Sequence, residues 1–418
     1  MMKGFKVAVT LGLFLCAISS AVHGVSVSCM MAYDEGGVPA VFQSPECLKW
    51  LLLVEAHQNQ TDNCQFATLQ GHREYQEDFV TCNLDMKIPI PGKYGPEKVT
   101  VGLAAVFDGH GGKEASEMAS KSLLDYFFLH VLFNTYKQTL PYKEEHDMVS
   151  QGHSDEPAHH VLNLSSQEAL PVVDNESLHC ILKEALLRTI NDIDSKFSKA
   201  SILSVPCSSS EAFSNHYVSG STATVVLLLD GQILVAFVGD SKALLCSENI
   251  QSRLDAEGTS VTELYAQELT RDHHPDRADE RARIEAAGGF IQKRGVPRVN
   301  GILALSRSIG DVYFKRYGLI AVPEVLGWLS LTTSDIYLVI ASDGIFESLT
   351  PQDVCSILGN ARTQGNEMAK NSSSCSASSS LADCVVSAAL TEGSTDNLSA
   401  IVVPLRPAGS SQEYLDEL

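Results

Sequence analysis

Short runs of apolar and β-branched residues, bounded by glycine, serine or charged residues, recur along the chain. Runs of six or seven such residues predict buried strands. They occupy Val101–Phe107, Ala223–Leu229, Ile233–Val238, Ile336–Ala341 and Ala400–Leu405. The dipeptide Asp230-Gly231 separates the second run from the third and predicts a tight hairpin, so these two strands should be antiparallel.

Helical periodicity of the apolar residues appears in four other segments. They are Lys113–Val131, Leu178–Phe197, Arg277–Ala287 and Leu381–Leu390. Asp276, after a proline, predicts the start of the third helix, and Gly288-Gly289 predicts its end. Because hairpins replace a strict strand–helix alternation, the pattern favours an α+β sandwich of antiparallel sheets covered by helices.

The first 24 residues depart from this pattern. Val7–Val22 is apolar and uncharged over 16 residues, fewer than the about 20 of a bilayer span, and it follows a lysine-containing start. We expect residues 1–24 to be a signal peptide, with an uncleaved membrane anchor or a chance apolar run as alternatives. The protein would then lie in the secretory pathway or at a membrane, and in the cytoplasm if the run is no signal.

Cysteines, glycosylation acceptors and the C-terminus bear on the same question. Four of the 11 cysteines lie in the N-terminal part and could form disulfides in an oxidising lumen, or could be buried apolar residues: Cys29, Cys47, Cys64 and Cys82. Glycosylation acceptors are found at Asn59, Asn163, Asn175 and Asn371. The final Asp-Glu-Leu matches part of an ER-retrieval signal.

Three polar segments interrupt the regular pattern, near 134–177, 200–216 and 360–380. Their serine, proline and charged residues are typical of surface loops or disorder. We interpret them as inserts in one domain spanning 66–405, preceded by an N-terminal extension (25–65) and followed by a tail (406–418).

Net charge narrows the range of partners. The chain has 30 basic and 51 acidic residues, which gives a formal charge of −21. The electrostatic field of this negative charge repels phosphate polymers, which argues against a nucleic-acid-binding protein. Most of the carboxylates should lie on a solvated surface, but some could bind metal ions.

Four aspartates stand at the ends of predicted strands, each beside glycine, serine or asparagine. They are Asp108, Asp240, Asp343 and Asp396. Carboxylates gathered at one sheet edge would repel one another unless cations lay between them. Hard oxygen ligands suit Mg²⁺ or Mn²⁺, and two such ions about 3.5–4 Å apart make a water molecule nucleophilic.

A second set of polar residues could complete such a site. Glu77 and Asp78 could hold water molecules around the ions, and the Arg73 guanidinium could bind a phosphate. His110 lies two residues from Asp108 and could donate a proton to a leaving alkoxide.

These segments, taken in order, resemble the protein phosphatase 2C family, the metal-dependent serine/threonine phosphatases. The resemblance covers about 66–405, is closest to the plant members, and rests on GHREYQED, VFDGHGG, SGSTATVVLL, VGDSKALL, LTRDHHPDRADERARIEAAGG, RVNGILALSRSIGD, VIASDGIFE and GSTDNLSAIVV. It implies a central β-sandwich of two antiparallel sheets flanked by helices on both sides (α-β-β-α), with a binuclear site at one end.

The resemblance also implies metal-binding roles. Asp108 would bridge two Mg²⁺ or Mn²⁺ ions, the Gly109 carbonyl would bind one of them, and Asp343 and Asp396 would complete the other. Asp240 matches the position linked to a weaker third ion. Glu347 stands where many members have aspartate. Its side chain is longer by one methylene group, which affects how the third ion would be bound.

The remaining roles concern the substrate. Glu77 and Asp78 would act through water molecules, Arg73 would bind the substrate phosphate, and His110 would be the general acid. The implied reaction is hydrolysis of phosphoserine and phosphothreonine in proteins by a water molecule that two metal ions activate.

Two rival hypotheses are a catalytically inactive relative that only binds partners and a different two-metal phosphohydrolase such as a nuclease. All core carboxylates are present, which disfavours the first, and the charge and motif order disfavour the second. We expect a monomer that acts on phosphorylated proteins, and membrane association only through the N-terminal segment.

Overall fold

The structure, a computed structural model, describes residues 30–33, 39–42, 63–92, 95–139, 173–203, 219–248, 253–254, 260–261, 263–364 and 380–405. The strands are β1 Met30–Tyr33, β2 Pro39–Phe42, β3 Gln65–Leu69, β4 Phe79–Gly92, β5 Gly95–Phe107, β6 Gly109–His110, β7 Gly220–Ser221, β8 Ala223–Leu229, β9 Gln232–Val238, β10 Lys242–Glu248, β11 Arg253–Leu254, β12 Ser260–Val261, β13 Leu264–Glu268, β14 Ile291–Arg294, β15 Val296–Val299, β16 Ile309–Gly310, β17 Glu324–Ser330, β18 Asp335–Ala341 and β19 Leu398–Pro404. The helices are α1 Glu114–Thr139, α2 Asn175–Leu203, α3 Ala278–Ala286, α4 Val312–Lys315, α5 Asp343–Phe346, α6 Pro351–Gln364 and α7 Leu381–Thr391.

Two five-stranded antiparallel sheets form the centre of the fold. Sheet I has the order β17-β9-β8-β5-β4, and sheet II has the order β13-β10-β18-β19-β3. Their facing sides share a core that includes Val106 and Val235 from sheet I and Ile340 and Ile401 from sheet II. The predicted hairpin is confirmed: β8 and β9 pair in antiparallel register around Asp230-Gly231.

Helices cover the outer face of each sheet. In β5, Leu103 and Phe107 pack among residues of α1 and α2, whereas Ala104 and Val106 face sheet II. This strand is apolar throughout because both of its faces are buried. α6 and α7 pack on the outer face of sheet II through a third core. The predicted α-β-β-α arrangement is therefore confirmed.

The predicted element ends need correction at several places. The third helix begins at Ala278 with Arg277 as its N-cap, so Asp276 does not start it. The three predicted inserts are shorter than expected, because α1 continues to Thr139, α2 runs from Asn175 to Leu203, and α6 continues to Gln364.

Buried polar contacts join α1 to α2 and stabilise the end of α1. His130 Nε2 of α1 lies 2.8 Å from Asp192 Oδ2 of α2, and both side chains are buried. Thr135, also buried, donates to the Val131 carbonyl within α1. Of these residues only Thr135 lies in the predicted insert, and because its hydroxyl finds a partner within α1, a polar side chain there does not indicate a surface loop.

Two disulfides between described residues join separate layers of the fold. Cys64–Cys82 links the start of β3 in sheet II to β4 in sheet I, and Cys246–Cys355 links β10 to α6. Cys29 and Cys47, like the predicted signal in residues 1–24, lie outside the described residues. Within the described residues, none of the helices is long and apolar enough to cross a membrane.

Candidate metal centre

Four of the predicted metal ligands lie at one end of the sandwich. Asp108 directly follows β5, and one residue separates Asp240 from β9, Asp343 from β18 and Asp396 from β19. β8 pairs in antiparallel fashion with both β5 and β9, so the last residues of β5 and β9 meet at one edge of sheet I. The end of β18 and the start of β19 meet in the same way in sheet II.

Three of these aspartates form a compact group. Asp108, Asp240 and Asp343 each offer a carboxylate oxygen, and these oxygens all lie within 4.8 Å of one another. The backbone nitrogen of Asp343 also lies 3.4 Å from Asp108 Oδ2, so the group joins the two sheets. Among the residues that the structure describes, Asp396 and Glu347 are not part of this group.

The carboxyl groups of Asp108, Asp240 and Asp343 resist ionisation. Burial raises the pKa of Asp108 well above its usual range, and the charges of Asp343 and Asp78 raise it further. Burial also raises the pKa of Asp343, and it raises the pKa of Asp240 to about 7. Asp108 and Asp240 are half-buried and Asp343 is exposed, and three acids that repel one another at this distance need a positive counter-charge, which a divalent cation would supply.

Asp78 adds a second observation that fits a cation. Its side chain is buried, and neither carboxylate oxygen has a hydrogen-bond partner among the described residues. Burial and the charges of Asp343 and Asp396 raise its pKa to about 7, although the neighbouring Ser399 and Ser342 hydroxyls act to lower it. Oxygen atoms left without partners beside an acidic group are suited to the water molecules that Mg²⁺ and Mn²⁺ retain.

The loop formed by residues 70–78, which carries Arg73, Glu77 and Asp78, is held by Asn397. The Asn397 side chain accepts from the Glu77 nitrogen (2.8 Å) and donates to the carbonyls of Gln70 (2.8 Å) and Tyr75 (3.0 Å). Glu77 Oε1 in turn accepts from the Gly112 nitrogen at 2.8 Å. Sequence reasoning missed Asn397; its only signal was its position next to Asp396 at the start of a strand.

Two glycines allow the loops to approach closely. A Cβ atom on Gly109 would lie 2.2 Å from the Glu77 carbonyl oxygen, and one on Gly71 would lie 2.0 Å from the Asp396 carbonyl oxygen. Gly71 also has a φ of 63°, which side-chain-bearing residues rarely adopt. The glycines beside the predicted ligands therefore let three loops meet without side chains between them.

Arg73 extends from the 70–78 loop to the rim of the acidic group. Its Nη2 atom lies 2.5 Å from Asp396 Oδ2, and 57% of the side chain is exposed. A guanidinium has five N–H donors, so donors remain for a phosphate after this contact. The structure thus brings the predicted phosphate ligand and a predicted metal ligand together.

His110 contacts a carboxylate that sequence reasoning missed. Its Nε2 atom lies 2.7 Å from Asp311 Oδ2, and the buried Asp311 also accepts from Ser308 Oγ at 2.6 Å. Burial lowers the pKa of His110, but the charge of Asp311 outweighs it, so the pKa is raised. The signal was present in the sequence, because Gly310-Asp311 repeats the strand–glycine–aspartate pattern of Gly239-Asp240.

A buried histidine supports the turn that carries Asp240. His273 Nδ1 lies 3.0 Å from the Gly239 nitrogen, and the His273 backbone nitrogen donates to the Gly239 carbonyl at 3.0 Å. Burial lowers the pKa of His273 to about 4, so its imidazole is neutral and Nδ1 can accept. The Thr222 hydroxyl accepts from the Asp108 nitrogen and bonds Ser241, which links the two turns.

Glu347, the predicted candidate for a third ion, lies against a neighbouring loop. Its carboxylate accepts from the Thr395 nitrogen (2.8 Å) and the Ser394 hydroxyl (3.0 Å). The Thr395 contact holds the pKa of Glu347 below its usual value. In this arrangement Glu347 fixes the loop that precedes Asp396.

Comparisons with known proteins bear on the family and the fold. The sequence model of the family described as Protein phosphatase 2C matches residues 169–398. The chain is 44% identical to "Probable protein phosphatase 2C 51" of Arabidopsis thaliana (92% of this chain, 79% of that protein) and 41% identical to "Putative protein phosphatase 2C 76" of Oryza sativa subsp. japonica (94% and 87%). A serine-threonine phosphatase 2C from Toxoplasma gondii superposes with a TM-score of 0.57 at 22% identity, covering 82% of this chain and 94% of that one, which shows a shared fold.

Proposed function

Because the chain belongs to the protein phosphatase 2C family, whose members are metal-dependent serine/threonine phosphatases, we propose that it hydrolyses phosphoserine and phosphothreonine in proteins. We further propose that two Mg²⁺ or Mn²⁺ ions take part. The observation that carries the proposal is the convergence of Asp108, Asp240 and Asp343 within 4.8 Å at the junction of the two sheets.

The residues at this end of the sandwich fit divalent cations. Asp108, Asp240 and Asp343 would hold them, with the Gly109 carbonyl and Asp396 as further candidate ligands. Bound ions would supply the positive charge and Lewis acidity that make a water molecule nucleophilic near neutral pH. Asp78 offers two buried oxygens with no partner among the described residues, which would bind water molecules at this site.

Arg73 would bind the substrate phosphate. The guanidinium is exposed, lies at the rim of the acidic group, and is fixed on one side by Asp396. Its remaining N–H donors match the geometry of phosphate oxygens. This contact would align the phosphorus atom with the acidic group.

His110 would donate the proton that the leaving group needs. As the bond between phosphorus and the serine or threonine oxygen breaks, that oxygen takes the proton and leaves as an alcohol, while water contributes the oxygen that completes inorganic phosphate. Asp311, at 2.7 Å from Nε2, favours the protonated imidazole and fixes its orientation.

The test is phosphate release from a phosphoserine peptide by the full chain with Mn²⁺, with EDTA as the metal-free arm. Asp108→Asn should reduce the rate by at least about 100-fold. The matched control is Asp230→Asn in the β8–β9 turn, at the opposite end of β9 from the acidic group, where a positive φ suits asparagine and activity should be unchanged. An Asp108→Asn variant with full turnover would refute the proposal, and a wild-type chain with no turnover would favour the inactive relative.

We also propose that the protein enters the secretory pathway. The support is the pair of disulfides between described residues, because such bonds persist in oxidising compartments. Of the four glycosylation acceptors, Asn175 lies exposed at the start of α2. Peptide-N-glycosidase treatment of the protein from a eukaryotic host should increase its gel mobility; unchanged mobility together with reduced cysteines would contradict this proposal.

A further inference from the structure

Arg316 belongs to an aromatic cluster at the end of α4. Its guanidinium carbon lies 4.0 Å from the ring centre of Tyr313 and 5.0 Å from that of Tyr317. The two rings lie 5.7 Å apart. Stacking on aromatic faces restrains a guanidinium while leaving the N–H donors at its edge available for another group.

Those donors have no acidic partner within the described part of the chain. No Asp or Glu oxygen there lies within 4.0 Å of the Arg316 guanidinium, and the residue is exposed to solvent. By contrast, Arg277, Arg283 and Arg307 all bind the buried carboxylate of Glu280. In a chain with 51 acidic and 30 basic residues, an exposed arginine that two aromatic rings restrain and that has no carboxylate partner among the described residues is a candidate site for an anion.

The position of Arg316 relative to the acidic group is fixed by α4. This one-turn helix begins directly after Asp311, whose carboxylate binds His110. Phe314 anchors the turn in a small buried core, and Lys315 donates to the Ser308 carbonyl at 2.7 Å. The turn therefore cannot move independently of the loop that holds His110.

The rise from Asp311, the partner of His110, to Arg316 is within the reach of a peptide. Arg316 lies five positions after Asp311, which at about 1.5 Å per helical residue is a rise of about 8 Å. An extended peptide covers this span in about three residues, at about 3.3 Å each. A side chain within about four residues of the phosphoresidue could thus contact Arg316.

We propose that Arg316 is a specificity-determining residue that binds an anionic group on the substrate, close in sequence to the phosphoserine or phosphothreonine. The inference rests on the proposed phosphatase function. The chemistry recognised is an oxyanion, either an Asp or Glu carboxylate or a second phosphate, which a planar guanidinium binds through two parallel N–H···O contacts. Tyr313 is a positioning residue, because its ring holds the guanidinium in place.

The experiment compares kcat/KM for a set of phosphoserine peptides and for a small aryl phosphate. The reference peptide has Ala at all four positions on either side of the target phosphoserine. Each of the other peptides replaces one of these Ala residues with Glu or with a second phosphoserine. We expect the wild-type protein to prefer an anionic peptide over the Ala peptide by about three- to tenfold at one or two positions, the range of an exposed charge-assisted contact. The Glu and phosphoserine arms distinguish the two sources of the anion.

Arg316→Ala should remove that preference by raising KM for the anionic peptides, without changing kcat/KM for the aryl phosphate, which does not reach α4. Arg316→Lys keeps the charge but loses the planar contact and should give an intermediate preference. Tyr313→Phe should behave as wild type, and Tyr313→Ala should lose part of the preference. Arg281→Ala removes an exposed arginine from α3 and serves as the charge-matched control.

Three outcomes would overturn the proposal. They are a wild-type enzyme with no preference at any position, an Arg316→Ala variant that keeps the preference, and an Arg281→Ala variant that loses it equally. Failure of the proposed function itself is a separate result, because the wild-type protein would then hydrolyse neither the peptides nor the aryl phosphate.

Discussion

The carboxylate of Asp311 lies 2.7 Å from Nε2 of His110, although 201 positions separate the two residues in the chain. The small sheet of β6, β7 and β16 brings them together, because His110 and Gly310 both pair with Gly220. A Cβ atom on Gly220 would lie 2.2 Å from Asp311 Oδ2, so only glycine leaves room for the contact.

Asp311→Asn should slow phosphopeptide hydrolysis more than aryl phosphate hydrolysis. The substitution removes the charge that favours protonated His110, and a serine alkoxide needs the proton far more than a phenolate does. We expect a loss of about 10- to 100-fold in kcat for the peptide and only a few-fold for the aryl ester. Equal losses for both substrates would mean that Asp311 supports the fold or the metal centre instead. Circular dichroism would then show whether the substitution has changed the fold.

Asp108→Asn should raise the stability of the metal-free protein while abolishing its response to metal. Asp108 is half-buried beside two other carboxylates, and a neutral side chain relieves that repulsion. A gain of about 1 kcal/mol corresponds to about 2–4 °C in Tm for a domain of this size. Thermal melts with and without Mn²⁺ check this; a lower metal-free Tm with an intact Mn²⁺ response would contradict it.

Stabilisation by Mn²⁺ should increase with pH. Burial raises the pKa of Asp78 and Asp240 to about 7, above the unfolded value of 3.8, so the folded metal-free protein holds protons that the unfolded chain releases. Their stabilising contribution is present below about pH 4 and is lost as the pH rises through about 7. A cation replaces these protons, so the gain in Tm on adding Mn²⁺ should be larger at about pH 7.5 than at about pH 5.5. An equal or larger gain at the lower pH would contradict the assignment.

His273→Leu should weaken metal binding. The substitution removes the Nδ1 contact with the Gly239 nitrogen and frees the turn before Asp240. Loss of such a supporting contact costs about tenfold in metal affinity, measured as the Mn²⁺ dissociation constant by calorimetry. His273→Asn, whose side-chain oxygen can accept the same hydrogen bond, should recover part of the affinity. If the two variants lose Tm but bind Mn²⁺ as wild type does, His273 supports only the fold.

Patterns within single segments predicted most of the architecture. The apolar run at Val101–Phe107 and the Asp230-Gly231 turn predicted strands that the structure confirms, because burial on both faces and turn chemistry are local properties. The convergence of Asp108, Asp240 and Asp343 followed from one inference, that aspartates at strand ends meet at a sheet edge.

Contacts between distant segments were beyond such reasoning. Asn397, His273 and Asp311 act on loops that lie 34 to more than 300 positions away, and nothing in their neighbouring residues specifies those partners. Likewise, His130 and Asp192 pair between α1 and α2 across 62 positions of the chain, and no local pattern specifies that partner. Side-chain type alone does not distinguish a solvated polar group from a buried, paired one.

The acidic group draws on both sheets: Asp108 and Asp240 extend from sheet I, whereas Asp343 follows a strand of sheet II. A nascent chain that has emerged only as far as β17 carries two of the three carboxylates and lacks the strand that must deliver the third. Capture of the cations would then be one of the last events of maturation, and a cell could test for completed folding simply by whether the protein retains its ions.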